Sequence, residues 1–222
     1  MEIEKEICIE RRIVRILFIL YFFDDKAGAI SFLNDRVSVI ESETKLQKID
    51  FWICYPDHLA AALLRGCEIE GLGNSKLINR KQEVCSAVRD ILRNREPEIR
   101  WIPMRKYLRG AYEPLDEVMV FLVSRNLARR RVVENGRRVH YELTSRGSEV
   151  VQTMIRECQE TEWYAQRCRL IRDFFNHLNG FEIRKLQYLE AAYAMTPHEQ
   201  MIATIETEVR ARFVKIFGME AL

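Results

Sequence analysis

Long apolar runs are missing from this chain. The greasiest stretch, Ile16 to Phe23, is about eight residues where a membrane-spanning helix needs roughly 20, which excludes a spanning segment. Glycine and proline are scarce, nine and five in 222 residues, so the chain is neither collagen-like nor low-complexity. The six cysteines, at 8, 54, 67, 85, 158 and 168, form no Cys-x-x-Cys pair, and the four histidines, at 58, 140, 177 and 198, are equally dispersed. Neither a disulfide framework nor a zinc site has ligands at the required spacing. Cys8, Cys54, Cys85 and Cys158 sit inside apolar helical patterns, where a reduced thiol packs as a small hydrophobe. A charge excess is missing too: 35 basic against 33 acidic side chains leave +2, which names no partner until it is located along the chain. Four Glu among the first twelve residues, and no small-residue cleavage site after the apolar run, fit no secretory signal. The expectation is a cytoplasmic protein with no cofactor and no metal.

What is present, 48% hydrophobic and 31% charged residues, describes an ordered chain that leans to helix. Ile13, Ile16, Leu17, Leu20 and Phe23 predict a buried helix over 6–24, broken at Asp24-Asp25-Lys26-Ala27-Gly28. The stretch 30–40 is ambiguous, since Val37, Val39 and Ile40 suit a strand as well as a helix. Ser42-x-x-Lys45 opens an amphipathic helix through Leu46, Ile49, Phe51 and Ile53, and Pro56-Asp57 stops it and caps a short helix from His58 to Leu64. A loop is expected from Cys67 to Arg80, a helix over 82–93, and an extended piece over 99–102 between Pro97 and Pro103.

The most informative segment follows. Pro114 starts a helix with Leu115, Val118, Met119, Leu122 and Val123 on one face. Two β-rich stretches, 127–134 and 137–143, then flank Asn135-Gly136, the strongest short hairpin signal because a type I′ turn needs positive φ at both central residues. Thr144-Ser145-Arg146-Gly147 opens another helix. Helix, helix, hairpin, helix is the grammar of a winged helix-turn-helix, and Tyr141 to Gly147 resembles the end of the wing in bacterial proteins of the MarR and PadR type. The predicted fold is therefore mainly α. A winged-helix core spans 1–147 with its wing at about 127–143, and a helical extension for protein contact spans 148–222. Within that extension, 148–178 reads as one helix, followed by helices over 182–194 and 198–217.

No catalytic centre emerges, and an enzyme is not expected. Gly66 and Gly71 have the glycine spacing of a P-loop, but Leu72 stands where the phosphate-binding Lys belongs. Pro56-Asp57 lacks the Asp/Glu-x-Lys partner of a Mg²⁺-nuclease motif, and reads as a helix stop and cap. What carries chemistry is charge. Arg125, Arg129, Arg130, Arg131, Arg137, Arg138 and Arg146 stand against Glu134 and Glu142, seven minus two, or +5 over 22 residues of a chain whose total is +2. Arg125, Arg129, Arg130, Arg131, Arg137 and Arg138 are the candidate DNA-backbone contacts, as guanidinium groups give charge-assisted bonds to phosphate and release counterions. Arg100, Arg105, Lys106 and Arg109, around Trp101 and Tyr107, are a candidate extension of that surface. The candidate recognition helix begins instead with Glu113, Asp116 and Glu117 and has no base-reading set before Arg125, which predicts backbone contact without sequence readout.

Thr44-Lys45-Leu46-Gln47-Lys48-Ile49-Asp50-Phe51-Trp52-Ile53, followed by Cys54-Tyr55-Pro56-Asp57-His58-Leu59, is similar to the K/R-L-Q-x-L-D-[FY] helix of a known family. That family comprises the middle components of ABC-three-component, Lamassu-type defence systems. Ser124-Arg125-Asn126-Leu127 and Tyr141-Glu142-Leu143-Thr144 stand at the distances it expects, and the resemblance covers roughly 10–155. It implies a non-enzymatic winged-helix subunit of an SMC-like ATPase complex that acts against phages and plasmids. Such a subunit would dock on the ATPase head region, bridge to a nuclease effector and meet the backbone of double-stranded DNA through its wing. Two rivals remain from the residues themselves: a homodimeric MarR/PadR-like transcriptional regulator, with 148–178 as dimerisation helix, and a structural adaptor without DNA contact.

Overall fold

The protein is described by a computed structural model covering residues 2–25, 35–68, 80–93, 104–108, 110–133, 136 and 138–220, with backbone alone over 2–8. It is mainly α with a small antiparallel sheet. In chain order the helices are α1 (Glu2–Phe22), α2 (Glu43–Cys54), α3 (Pro56–Glu68), α4 (Lys81–Arg93), α5 (Asp116–Ser124), α6 (Ser145–Glu157), α7 (Gln159–Phe175), α8 (Gly180–Gln187), α9 (Ala191–Met195) and α10 (Glu206–Phe217). The strands are β1 (Arg36–Ile40), β2 (Lys106–Tyr107), β3 (Gly110–Ala111), β4 (Ala128–Val133) and β5 (Arg138–Thr144). Among the described residues no helix is long and apolar enough to cross a membrane.

The chain divides into two compact units interleaved in sequence. Unit 1 is Met1–Asp50 with Glu113–Phe181, and unit 2 is Phe51–Tyr112 with Glu182–Leu222. The sequence draws its boundary once, between 147 and 148; these units change over inside α2, after Tyr112 and after Phe181.

In unit 1, α1 is buried on every side over Ile16 to Leu20, and it packs against β1, β5, α5, α6 and α7. Among these apolar residues Arg15 is 1% exposed, a position that burial penalises unless the charge is paired. Its Nε donates to Asp50 Oδ1 at 2.5 Å, from α2, with Glu113 Oε2 3.8 Å from its Nη2. Lys45, also buried, donates to Asp25 Oδ1 at 2.5 Å and to the Asn176 carbonyl at 3.2 Å. Ser42 accepts from the Lys45 N–H at 3.3 Å, as its place before α2 predicts. The sheet order is β1-β5-β4, all antiparallel, so β5 is central and holds the buried Tyr141, Leu143 and Thr144. The ambiguous stretch 30–40 resolves as strand over Arg36–Ile40; its first residues lie outside the described ones.

The single helix predicted over 148–178 is two helices. Cys158 takes extended dihedrals, φ −120° and ψ 100°, and separates α6 from α7. Neither glycine nor proline causes this. The Thr161 hydroxyl lies 2.9 Å from the Met154 carbonyl and 2.8 Å from that of Cys158, so one side chain bonds backbone on both sides of the break, beside the Cys158 N–H to Met154 and Thr161 N–H to Cys158 bonds. The break folds α7 back against α1, where Tyr164, Ala165, Cys168, Ile171, Phe174 and Phe175 are buried. Each of the larger ones contributes about 1.5–3 kcal/mol by leaving water. Cys158, predicted to pack as a hydrophobe, is consequently exposed.

Unit 2 forms around α3, which packs against α4 and α10. The helix begun by Pro56 is longer than predicted, reaching Glu68, and the loop expected after it lies largely outside the described residues. Phe51 stacks on Tyr55 at 4.6 Å between ring centroids and meets His58 and Tyr193 edge-on at 5.3 Å each. The two phenols are satisfied: Tyr55 Oη accepts from the Met104 N–H at 2.6 Å, and Tyr193 Oη from the Ala111 N–H at 2.7 Å. Residues 199–202, predicted helical, are not: Glu199 turns the chain at φ 65°, and Met201 then forms an antiparallel bridge with Arg105. Their backbone bonds that of 104–106, from Ile202 N to Met104 O at 3.1 Å and from Lys106 N to Gln200 O at 2.9 Å. The last helix therefore starts only at Glu206, and Asp57 fixes its beginning. Asp57 Oδ2 accepts from the Thr204 hydroxyl and the Ile205 N–H, both at 2.7 Å, while Oδ1 accepts from the His58 N–H at 2.9 Å. The helix predicted over 182–194 is likewise split, into α8 and α9.

Glu190, between those helices, binds two guanidinium groups: Arg212 at 2.9 and 3.1 Å, and Arg65 at 3.1 Å. Burial alone would raise its carboxyl, but Arg212 and Arg65 outweigh that and hold it below its usual 4.5. A carboxyl depressed in the folded state contributes stability that is complete above the unfolded value and is lost as pH falls through the folded one. The wild type should therefore lose stability as pH drops below about 4.5, and Glu190→Gln should flatten that dependence while costing about 2–4 kcal/mol at neutral pH. Urea denaturation followed by circular dichroism across pH checks both.

Candidate nucleic-acid interface

The basic cluster depends on a joint between α5, β4 and α6. Asn126 ends α5 in the left-handed region, φ 55°, and Leu127 returns its N–H to the Leu122 carbonyl at 2.8 Å. Thr144, the last residue of β5, closes the joint. Its hydroxyl lies 2.7 Å from the Asn126 carbonyl and 3.1 Å from that of Leu127, and it accepts from the Gly147 N–H at 3.0 Å as the N-cap of α6. Gly147 is required by proximity: a Cβ there would stand 2.1 Å from Leu127 O and 2.7 Å from Leu143 Cδ1. The Thr144-Ser145-Arg146-Gly147 sequence is thus a cap and a close approach together.

The hairpin register sets each arginine's face. Arg129 lies opposite Glu142, Arg130 opposite Tyr141, and Arg131 opposite His140. Strand alternation puts Arg129 and Arg131 on one side, where both meet acids. Arg129 Nη2 is 3.0 Å from Asp35 Oδ2, and Arg131 Nε is 3.7 Å from the buried Glu142. Asp35 also accepts from the Ser145 N–H at 2.9 Å. Hydrogen bonds from Ser145, supported by the Arg129 charge, hold the Asp35 carboxyl below the usual carboxylate range. The Asp35 backbone sits at φ 131°, an unusual place for a side chain other than glycine, and the bonds to Ser145 hold it there. Arg130, on the other side and exposed, lies beside the Tyr141 hydroxyl, which donates to Glu43 Oε2 at 2.9 Å. Burial, with Glu43 adding to it, pushes the Tyr141 phenol up, so it stays a neutral donor.

Arg138 and Arg146 are exposed, and Arg125 is exposed over the Phe121 ring at 5.2 Å. Arg137 and Asn135 lie outside the described residues; Gly136 has the positive φ, 88°, that the turn signal requires. The six described arginines of this surface face two acids, Asp35 and Glu142, leaving six minus two, or +4. Asp35 was not found from sequence, and its only signal there is the Asn34-Asp35 pair just before a strand.

The candidate extension of the surface needs correction at Lys106. That side chain is buried in unit 2, where its ammonium donates to the carbonyls of Tyr193, Ala194 and Thr196 at 2.8, 2.6 and 2.8 Å. It caps the C-terminal end of α9, and burial lowers its pKa. Arg105 is exposed, while Arg100, Trp101 and Arg109 lie outside the described residues.

On α5, the outward positions are Asp116, Glu117, Val120, Phe121, Val123 and Ser124. None has the bidentate chemistry of Arg, Asn or Gln toward a base edge. Among the described residues no three of His, Cys, Asp and Glu converge as a metal site. No protein-family model, curated protein or solved structure matches the chain.

Replacing Gly147 by Ala should push Leu127 and Leu143 apart, destabilising unit 1 by about 2 kcal/mol or more. Thermal melting of the variant checks this, and an unchanged melting temperature would show that the joint can open freely.

Proposed function

We propose that unit 1 is a winged helix-turn-helix and that the chain is a non-catalytic accessory subunit of an SMC-like ATPase and nuclease defence complex. In this reading the hairpin is the wing, and its arginines hold the backbone of double-stranded DNA without reading sequence. The observation that carries the wing is the order α1, β1, α2, α5, β4, β5 with the sheet arranged β1-β5-β4, and with Arg130 and Arg138 exposed on the hairpin. In that order the first segment of unit 2, Phe51–Tyr112, begins inside α2 and ends just before α5, and its second segment, Glu182–Leu222, follows the core. The resemblance of residues 44–59 to the Lamassu-type middle components supplies the complex and its partners, the ATPase head region and the effector nuclease.

The regulator reading is weaker on two observations. Its dimerisation arm, 148–178, is broken at Cys158, and α7 spends its apolar face on α1. Its reading helix would present Val120 and Phe121 to the groove.

The double variant Arg130→Glu/Arg138→Glu leaves the Asp35 and Glu142 pairs intact and should keep the fold. Its affinity for a random-sequence duplex should fall, and the slope of log affinity against log salt should flatten by about 0.9 for each phosphate no longer held. Unchanged affinity and slope would remove the hairpin from the DNA surface. The complex is tested separately by recovering tagged protein from its host after nuclease treatment. An SMC-like ATPase and a nuclease should accompany it, and recovery of the chain alone would overturn the assignment.

A further inference from the structure

A surface helix ordinarily turns polar residues outward, and α5 does not. Val120 is 70% exposed, Val123 45% and Phe121 38%, so the outward face of a nine-residue helix is apolar through its middle. Its polar residues are confined to the ends and differ in sign. Asp116 and Glu117 occupy the first turn, while Arg125 follows the last, held over the Phe121 ring. Isolated exposed hydrophobes are common, but three within four residues at the middle of one face leave contiguous apolar surface in water.

The order along this face is acid, apolar, base. Reversed end for end, it becomes base, apolar, acid, so the face complements itself when two copies run antiparallel. The symmetry centre of the stretch 116–125 falls between Val120 and Phe121, the residues that would meet at the two-fold axis. Each Asp116-Glu117 pair would then lie opposite the other copy's Arg125. A basic or acidic partner of another kind would satisfy one end and repel the other, whereas a second copy satisfies both.

We propose that the outer face of α5 is a self-complementary docking surface occupied by the same face of a second copy of this chain, packed antiparallel. Contacts of this kind are isologous, each residue of one copy meeting its counterpart's partner on the other. A helix of nine residues keeps the interface small, so association is weak and concentration-dependent. The contact uses Arg125, one of the candidate backbone contacts, and leaves Arg130 and Arg138 outside it, so the Arg130→Glu/Arg138→Glu variant that tests duplex binding should associate as the wild type does.

Sedimentation equilibrium of the full chain over a wide concentration series tests this. The mass should rise from that of one chain, 26.4 kDa, toward twice that value. Val120→Glu, at an exposed position that the fold does not need, should weaken association by about tenfold or more. So should Arg125→Glu alone and Asp116→Arg/Glu117→Arg alone, since each places like charges together. The triple variant combining them reverses the order of charge and should restore the dimer, with circular dichroism confirming that all four keep the wild-type fold. A chain that stays monomeric at every concentration, a dimer indifferent to Val120→Glu, or a triple variant that does not recover would overturn the proposal.

Discussion

Unit 1 depends on one buried ion pair. Over Ile16 to Leu20 α1 is enclosed by β1, β5, α5, α6 and α7, and a stretch of helix enclosed on every side has no solvent face on which to put a charge. Arg15 nonetheless borders that stretch, and Asp50 of α2 answers it. Burying either charge alone costs several kcal/mol, so each residue makes the other necessary and the pair fixes how α2 sits against α1. An apolar pair could be as stable, but it would tolerate sliding. A guanidinium and a carboxylate do not, which suits a helix whose neighbours must hold a hairpin in place.

The same reasoning accounts for the Lys45-to-Asp50 motif, which looked functional in the sequence. Lys45, Lys48 and Asp50 are all buried, and Lys45 and Asp50 are bonded to Asp25 and Arg15 within unit 1. These charges set the position of α2 from inside and are not offered to a ligand. A similarity carried by such residues speaks first to how a helix is seated, and only through that to what the assembled unit does.

How far the elements could be read followed from how local their causes are. Asn135-Gly136 and the alternation around it gave the hairpin, and Ser42 and Thr144 gave helix starts, because each signal acts within a few residues. The break at Cys158 escaped, since it rests on a threonine hydroxyl and on the attraction of α7 to α1, and neither leaves a breaker in the sequence. Residues 198–205 escaped for a similar reason. Their helical appearance is overruled by backbone bonds to 104–106 and by Asp57, about 147 positions away, which captures the start of α10. Long-range bonds of this kind have no periodicity to detect.

At the candidate interface the sequence located the charge but not its state. Counting arginines treats them as equivalent, yet strand alternation divides them. Arg129 and Arg131 face Asp35 and Glu142, while Arg130 faces a phenol held neutral by its surroundings. A phosphate approaching the first side must displace a carboxylate; one approaching the second displaces at most a hydroxyl. In the DNA-binding reading proposed above, Arg130 would therefore carry more of the attraction to phosphate, and the paired arginines would maintain the shape of the hairpin that presents it. Lys106 makes the converse point, as a cation in a basic stretch that is wholly committed to three carbonyls. Net charge along a sequence bounds what a surface can attract, and the partner of each charge decides what it does.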